Sequence, residues 1–151
     1  MSSFIYNSYK AYLLSGYAIR LNSDPIYVAL MRSSLTPDLN GLSQKVFTQV
    51  ASNECTGQVG YTGRGKQITS PSITVTTGSN YATFSSSVDL TWGGSTITAS
   101  GAVVYASGTF GSPAINDPLI AYIDFGNNLT SSLGDFTIQF AAAGIVRISN
   151  G

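Results

Sequence analysis

The chain has no histidine and one cysteine among its 151 residues, and its charged side chains are seven Lys+Arg against seven Asp+Glu. Each shortage excludes a class of chemistry. Without His, the usual general base near neutral pH and the commonest metal ligand are both missing. Cys55 alone closes no intrachain disulfide and builds no multi-thiolate zinc site. As a nucleophile it lacks the customary His partner, so burial as a small hydrophobe is expected, with an intermolecular disulfide as the lesser alternative. A formal net charge of +0 and a pI near 6.0 argue against nucleic acid as a partner, which needs clustered Lys and Arg.

Long hydrophobic runs are missing too. None approaches the ~18–20 residues of a membrane-spanning helix, so no membrane partner is expected. The opening Met1-Ser2-Ser3-Phe4-Ile5-Tyr6-Asn7-Ser8-Tyr9-Lys10 lacks the order of positive charge, apolar stretch and small cleavage residues that marks a secretory signal. A soluble product made in the cytoplasm is the expectation, and Asn128-Leu129-Thr130 is then a chance glycosylation triplet.

What is present is a globular composition: 43% hydrophobic and 11% aromatic residues, with only 9% charged. Disorder is excluded by that apolar content, and solubility falls to Ser, Thr, Asn and Gly. At this length one domain over 1–151 is expected, since domains cluster near ~100–150 residues.

Residues 4–14 place Phe4, Ile5, Tyr9, Tyr12 and Leu13 at helical spacings, which predicts a short amphipathic helix stopped at Gly16. A second, weaker helix is expected from Leu42 to Val50, after Thr36-Pro37-Asp38 and the Asn40-Gly41 pair. Most of the rest reads as strand. Ile26 to Met31 is apolar throughout and suits a strand covered on both faces. Ser72 to Thr76 alternates, predicting one wet face. Tyr81 to Trp92 reads as one run, with Val88, Leu90 and Trp92 on a single buried face, and Gly93-Gly94 signals a hairpin into Thr96 to Ala106.

Asp117-Pro118 then opens Leu119 to Phe125, Gly126 to Gly134 turns, Phe136 to Phe140 alternates, and Ile145 to Ile148 closes. Roughly five to eight short strands turned by Gly, Asn and Asp, without crossover helices, predict a mainly β fold. The expected fold is an antiparallel β-sandwich or jelly-roll-like domain with one or two short helices near the N-terminus.

Few groups invite chemistry. Gly60-Tyr61-Thr62-Gly63-Arg64-Gly65-Lys66 combines exposed backbone N–H groups with two cations, but Gln67 stands where a phosphate-binding P-loop needs Ser or Thr. The alternative is a flexible loop whose Arg64 and Lys66 meet a partner's acidic groups or water. Asp117, Asp124, Asn127, Asn128 and Asp135 offer oxygens for calcium without following a calcium-loop order, and Asp and Asn are commonly turn formers. Asp89, Asp124 and Asp135 are formally available as a hydrolytic carboxylate pair. No catalytic, cofactor-binding or metal-ligating residue is assigned, and no cofactor is expected.

The order of segments resembles a family of small virion proteins of tailed bacteriophages. The resemblance rests on Ile26 to Leu30, Ser33 to Pro37, Asn53 to Thr62, Leu90-Thr91-Trp92 with Thr96 to Val103, Pro118 to Gly126, and Phe136 to Phe140 with Gly144-Ile145. It runs from about Ile5 to Ile148. Cys55 and Gln58 depart from the family's Glu-x-Ser-Gly-x-Gly-Tyr-like stretch.

The resemblance implies a non-enzymatic head decoration or cement protein on the capsid surface, bound to the major capsid protein and assembled as a symmetric homo-oligomer such as a trimer. A tail, neck or fibre component, and a carbohydrate-binding domain, are the alternative readings. For such a role Phe4, Tyr6, Tyr9 and Tyr12 in the N-terminal 1–16 suit either an arm on a neighbour or a helix of the chain's own core. Together with Arg64 and Lys66 they are the candidate interface residues.

Overall fold

A computed structural model describes residues 3–40 and 42–149; Gly41 of the Asn40-Gly41 turn signal and the opening Met1-Ser2 lie outside the described residues. The fold is mainly β and antiparallel, with one α-helix near the N-terminus. The strands are β1 (Phe4–Ile5), β2 (Ile26–Met31), β3 (Lys66–Gln67), β4 (Pro71–Thr76), β5 (Tyr81–Ser86) and β6 (Leu90–Ser95). They continue with β7 (Thr98–Ala106), β8 (Thr109–Phe110), β9 (Ile115–Asn116), β10 (Leu119–Thr130), β11 (Gly134–Ile138) and β12 (Val146–Ser149). The helix α1 spans Asn7–Leu14, and short 3-10 turns occupy Phe47–Gln49 and Ala51–Asn53.

The centre is a five-stranded sheet in the order β1-β10-β7-β2-β3. The inner strands β2 and β7 are almost wholly buried, as their continuous apolar sequence demands of strands covered on both faces. One face carries Tyr27 opposite Tyr105, with Phe47 stacked on Tyr105 at 4.3 Å. On the other face Lys66, opposite Val28, reaches Trp92 of the β6–β11 ribbon. Phe125 of β10 meets Phe136 of that ribbon at 6.2 Å, so ribbon and sheet form a sandwich-like pair of layers. A three-stranded sheet, β12-β5-β4, joins the core through Phe84 and Val146, and β8–β9 is a small separate hairpin.

Several local expectations change. Phe4 and Ile5 are strand, paired with Tyr122 and Ala121 of β10, so the helix is shorter than 4–14; Gly16, at φ 79°, lies just beyond its end. Only the end of the Leu42 to Val50 stretch coils, as the 3-10 turn at Phe47–Gln49. The run from Tyr81 to Trp92 breaks at Ser87-Val88-Asp89, which leaves Val88 exposed while Leu90 and Trp92 are buried.

Gly93-Gly94 makes no hairpin. Both residues lie inside β6, where Ser95 pairs with Gly134 and Trp92 with Phe136, so two glycines oppose Asp135 alone. That is a β-bulge, and Gly94 supplies the positive φ of 57° that it needs. β6 therefore pairs with β11, while β7 pairs with β10 and β2. Gly126, at φ 77°, is likewise absorbed into β10, which runs on through an irregularity between Asp124 and Leu129 to Thr130.

Candidate functional site

The loop from Glu54 to Lys66 gathers most of the specific electrostatics. It is pinned at both ends: the Cys55 N–H donates to the Leu30 carbonyl, and Lys66-Gln67 forms β3 against β2. Gly65 is required here, since at φ 75° a Cβ would run into the Val28 carbonyl. The loop therefore packs down on β2, and its glycine serves close approach to a strand.

Glu54 is buried and its Oε1 accepts a hydrogen bond of 2.7 Å from the Tyr61 hydroxyl, which itself accepts from the Leu30 N–H at 3.0 Å. Burial raises the Glu54 carboxyl above the usual range, although the Tyr61 hydroxyl and the Arg64 and Gly65 main-chain N–H groups oppose that shift. Its partners are all structural groups of the chain.

Arg64 bridges to Asp117 at 2.8 Å and lies 5.1 Å from the Phe47 ring and 5.5 Å from the Tyr105 ring. The Tyr105 hydroxyl donates to the Arg64 carbonyl at 2.8 Å, and Asp117 also accepts from the Gly108 N–H at 2.9 Å. Lys66 donates to the Thr91 carbonyl and stands 5.6 Å from the Trp92 ring. Both cations thus make defined contacts within the chain, unlike the flexible loop that the glycines suggest. The only sequence hint of the Arg64–Asp117 pair is one cation and one anion 53 residues apart, which no local pattern links.

The aromatic candidates divide by burial. Tyr6 and Tyr9 are fully buried core side chains, and burial pushes the Tyr9 hydroxyl up to about 12. This places them in the core role, because a fully buried ring has no surface to offer a neighbour. Phe4 is half-buried, 5.1 Å from Tyr6 and 5.7 Å from Tyr122, and Tyr12 packs 5.1 Å from Tyr17. With β1 paired to β10 and the Tyr6 N–H donating to the Ile120 carbonyl, the start of the segment is bound to its own chain.

Cys55 is fully buried, its thiol pushed up to about 11 mainly by desolvation, so it is a core hydrophobe out of reach of a second copy's thiol. The acidic residues serve separate turns: Asp117 holds Arg64, Asp124 accepts from the Gly126 N–H at 2.9 Å, and Asp135 faces the β6 bulge. Among the described residues no three His, Cys, Asp or Glu side chains gather as a metal site.

The remaining distinctive surface is the three-stranded sheet. Cross-strand register puts Ile73, Phe84 and Val146 in one row and Val75, Ala82 and Ile148 in the next, all on the same face. Phe84 and Val146 are buried, whereas Ile73 is 50% exposed, Val75 74% and Ile148 56%. The alternation of Ser72 to Thr76 was expected to give one wet face; instead both faces of β4 meet solvent. Beside β12, a groove of about 530 Å³ runs along α1, lined by Ile5, Leu13, Leu14 and Ile148 together with the cations Lys10 and Arg147. An exposed apolar face of this kind is a candidate interaction surface.

Compared with family models, curated proteins and solved structures, the chain matches none. The structural basis for a functional reading is therefore the chemistry of this surface.

Proposed function

We propose that the chain is a non-enzymatic structural protein of a bacteriophage virion, a capsid decoration or cement protein. It binds the major capsid protein on the outside of the head and works as a homo-oligomer, after synthesis in the host cytoplasm. One observation carries the reading: a charge-poor β domain whose loop cations Arg64 and Lys66 are engaged internally leaves an apolar sheet face, Ile73, Val75 and Ile148, open to solvent. A protein that binds only the assembled shell stabilises it by mass action, and for this it needs apolar area and backbone pairing more than steering charge. The resemblance from about Ile5 to Ile148 supplies the choice of the head.

Reconstitution tests it. Purified protein added to decoration-free heads should co-sediment in a fixed ratio to the capsid protein and raise the temperature at which heads open. Failure to bind heads overturns the reading, and labelling of the tail on intact particles would assign the chain to the tail instead.

A further inference from the structure

The outer edge of β4 carries none of the usual protection against pairing with another chain. In the order β12-β5-β4 it has a neighbour on one side only. Among the described residues its main chain bonds to β5, with one further turn bond from the Ser79 N–H to the Thr76 carbonyl. In an antiparallel strand about every second residue directs its N–H and C=O away from the partner, so about half of the six residues present unpaired groups. Edges are normally blunted by charge, by an internal proline or by a bulge. Here residues 67–80 contain no ionisable side chain, Pro71 stands at the strand's first position, and pairing with β5 runs unbroken from Pro71 to Thr76.

We propose that the β4 edge pairs antiparallel with the β4 edge of a second copy of this chain, joining two three-stranded sheets into one about a twofold axis. Residues directly opposed in an antiparallel pair lie on the same face. A twofold normal to the sheet must therefore pass through a directly opposed residue pair, which sets residues of the Ile73 and Val75 face against residues of that same face. The segment free of proline is 72–76, and its centre is Thr74. That axis places Ile73 of one copy opposite Val75 of the other, and Ser72 opposite Thr76.

The row Ile73, Phe84, Val146 then continues across the junction into the partner copy's row of Val75, Ala82 and Ile148. Neutrality selects the occupant. Two copies bring no like charges together at this edge, while a charged strand from another protein would find no opposite charge to meet. The inference needs only the edge and does not depend on the virion reading.

Sedimentation of the full chain across a concentration series tests it. A dimer of twice 15.8 kDa is expected, with Kd on the order of 10 μM or tighter. Val75→Lys, at a side chain already 74% exposed, should weaken the dimer at least about tenfold while leaving thermal unfolding of dilute protein unchanged. Val88→Lys, off this strand, should leave the mass unchanged. Register is read by oxidation: Thr74→Cys, set against itself across the axis, should give covalent dimers, and exposed Thr48→Cys should not. A monomer throughout, or a trimer indifferent to Val75→Lys with no Thr74→Cys cross-link, overturns the proposal. So does a monomer whose binding to heads alone is abolished by Val75→Lys, since the edge would then belong to a capsid-protein strand. Loss of head binding with the dimer intact would instead count against the cement reading only.

Discussion

The five-stranded sheet and the three-stranded sheet are built from similar residues, β-branched and small, yet they end in opposite conditions. In the first, β2 and β7 are enclosed by aromatics, and the covering loop is held by three ionised or polar locks, Glu54 to Tyr61 within it, Arg64 to Asp117 and Lys66 to Thr91 of β6, with the Leu30 N–H of β2 donating to the Tyr61 hydroxyl. In the second, apolar rows emerge from the core at Phe84 and Val146 and run out to Val75 and Ile148 with nothing over them. Only Arg147, 4.2 Å from the Tyr81 ring, adds a charge, and it does so on the polar face. Stability is thus concentrated in one sheet and surface chemistry in the other.

The largest effect that can separate the two lies at Trp92. It is fully buried between Tyr61, 5.9 Å away, and Phe136, 6.3 Å away, with Lys66 against its ring. Trp92→Ala should cost about 3–5 kcal/mol in denaturant unfolding, from lost transfer energy plus the cavity left behind. Among the described residues its indole N–H has no hydrogen-bond partner, so Trp92→Phe, which leaves no polar group stranded, should cost distinctly less.

Next comes Glu54, where both magnitude and pH dependence can be read. Glu54→Ala removes the acceptor of the Tyr61 hydroxyl proton and should cost about 1–3 kcal/mol. Because the carboxyl is raised in the folded state, its contribution is fully present below the ordinary glutamate range and is lost as pH rises through the raised native value. Unfolding free energy should therefore fall across that window in the natural chain and lose this slope in Glu54→Gln. An equal slope in both proteins would show that the loop's enclosure does not govern this carboxyl.

The closed region was the more legible in sequence. The apolar run Ile26 to Met31 after the Asp24-Pro25 turn suits a strand covered on both sides, as β2 is, and the lack of crossover helices points to the antiparallel pairing observed. Shared parity predicts burial correctly for Leu90 and Trp92 but not for Val88, which the break at Ser87 to Asp89 leaves exposed. What the local pattern does not show depends on partners distant in the chain. Gly93-Gly94 has the composition of a hairpin, and only the β11 register, with Asp135 facing both, makes it a bulge. β4 alternates like a half-buried strand, yet alternation reports which residues share a face and says nothing of whether another layer covers it. The helical spacing of Phe4, Ile5 and Tyr9 came partly from a strand entering a helix, a junction decided by Tyr122 and Ala121 of β10.

A smaller effect tests whether the cations of the loop are structural. Arg64 is nearly half exposed, so its bridge to Asp117 is screened, and Arg64→Ala should cost only about 1 kcal/mol, including lost packing over Phe47 and Tyr105. Asp117→Ala should cost a similar amount, and the double variant less than the sum, since the two share one contact. Full additivity in that cycle would mean that the pair adds nothing and that Arg64 remains available as an interface cation.

The smallest expected effect on stability sharpens the comparison most. Ile73→Thr and Val75→Thr keep β-branching, and thus strand preference, while removing apolar surface that is already half or more exposed. Each should change the unfolding free energy of dilute protein by no more than about 0.5 kcal/mol, the range for surface sites away from packing or charge. A leucine or valine of β2 replaced in the same way would lose far more, because its burial is complete on both faces. If Ile73→Thr or Val75→Thr lost several kcal/mol, β4 would have to be covered in the unassembled chain, and the contrast between a closed and an open sheet would fail. If the loss stays small, the apolar character of this strand serves no internal purpose, and its reason must be sought in contact with another molecule.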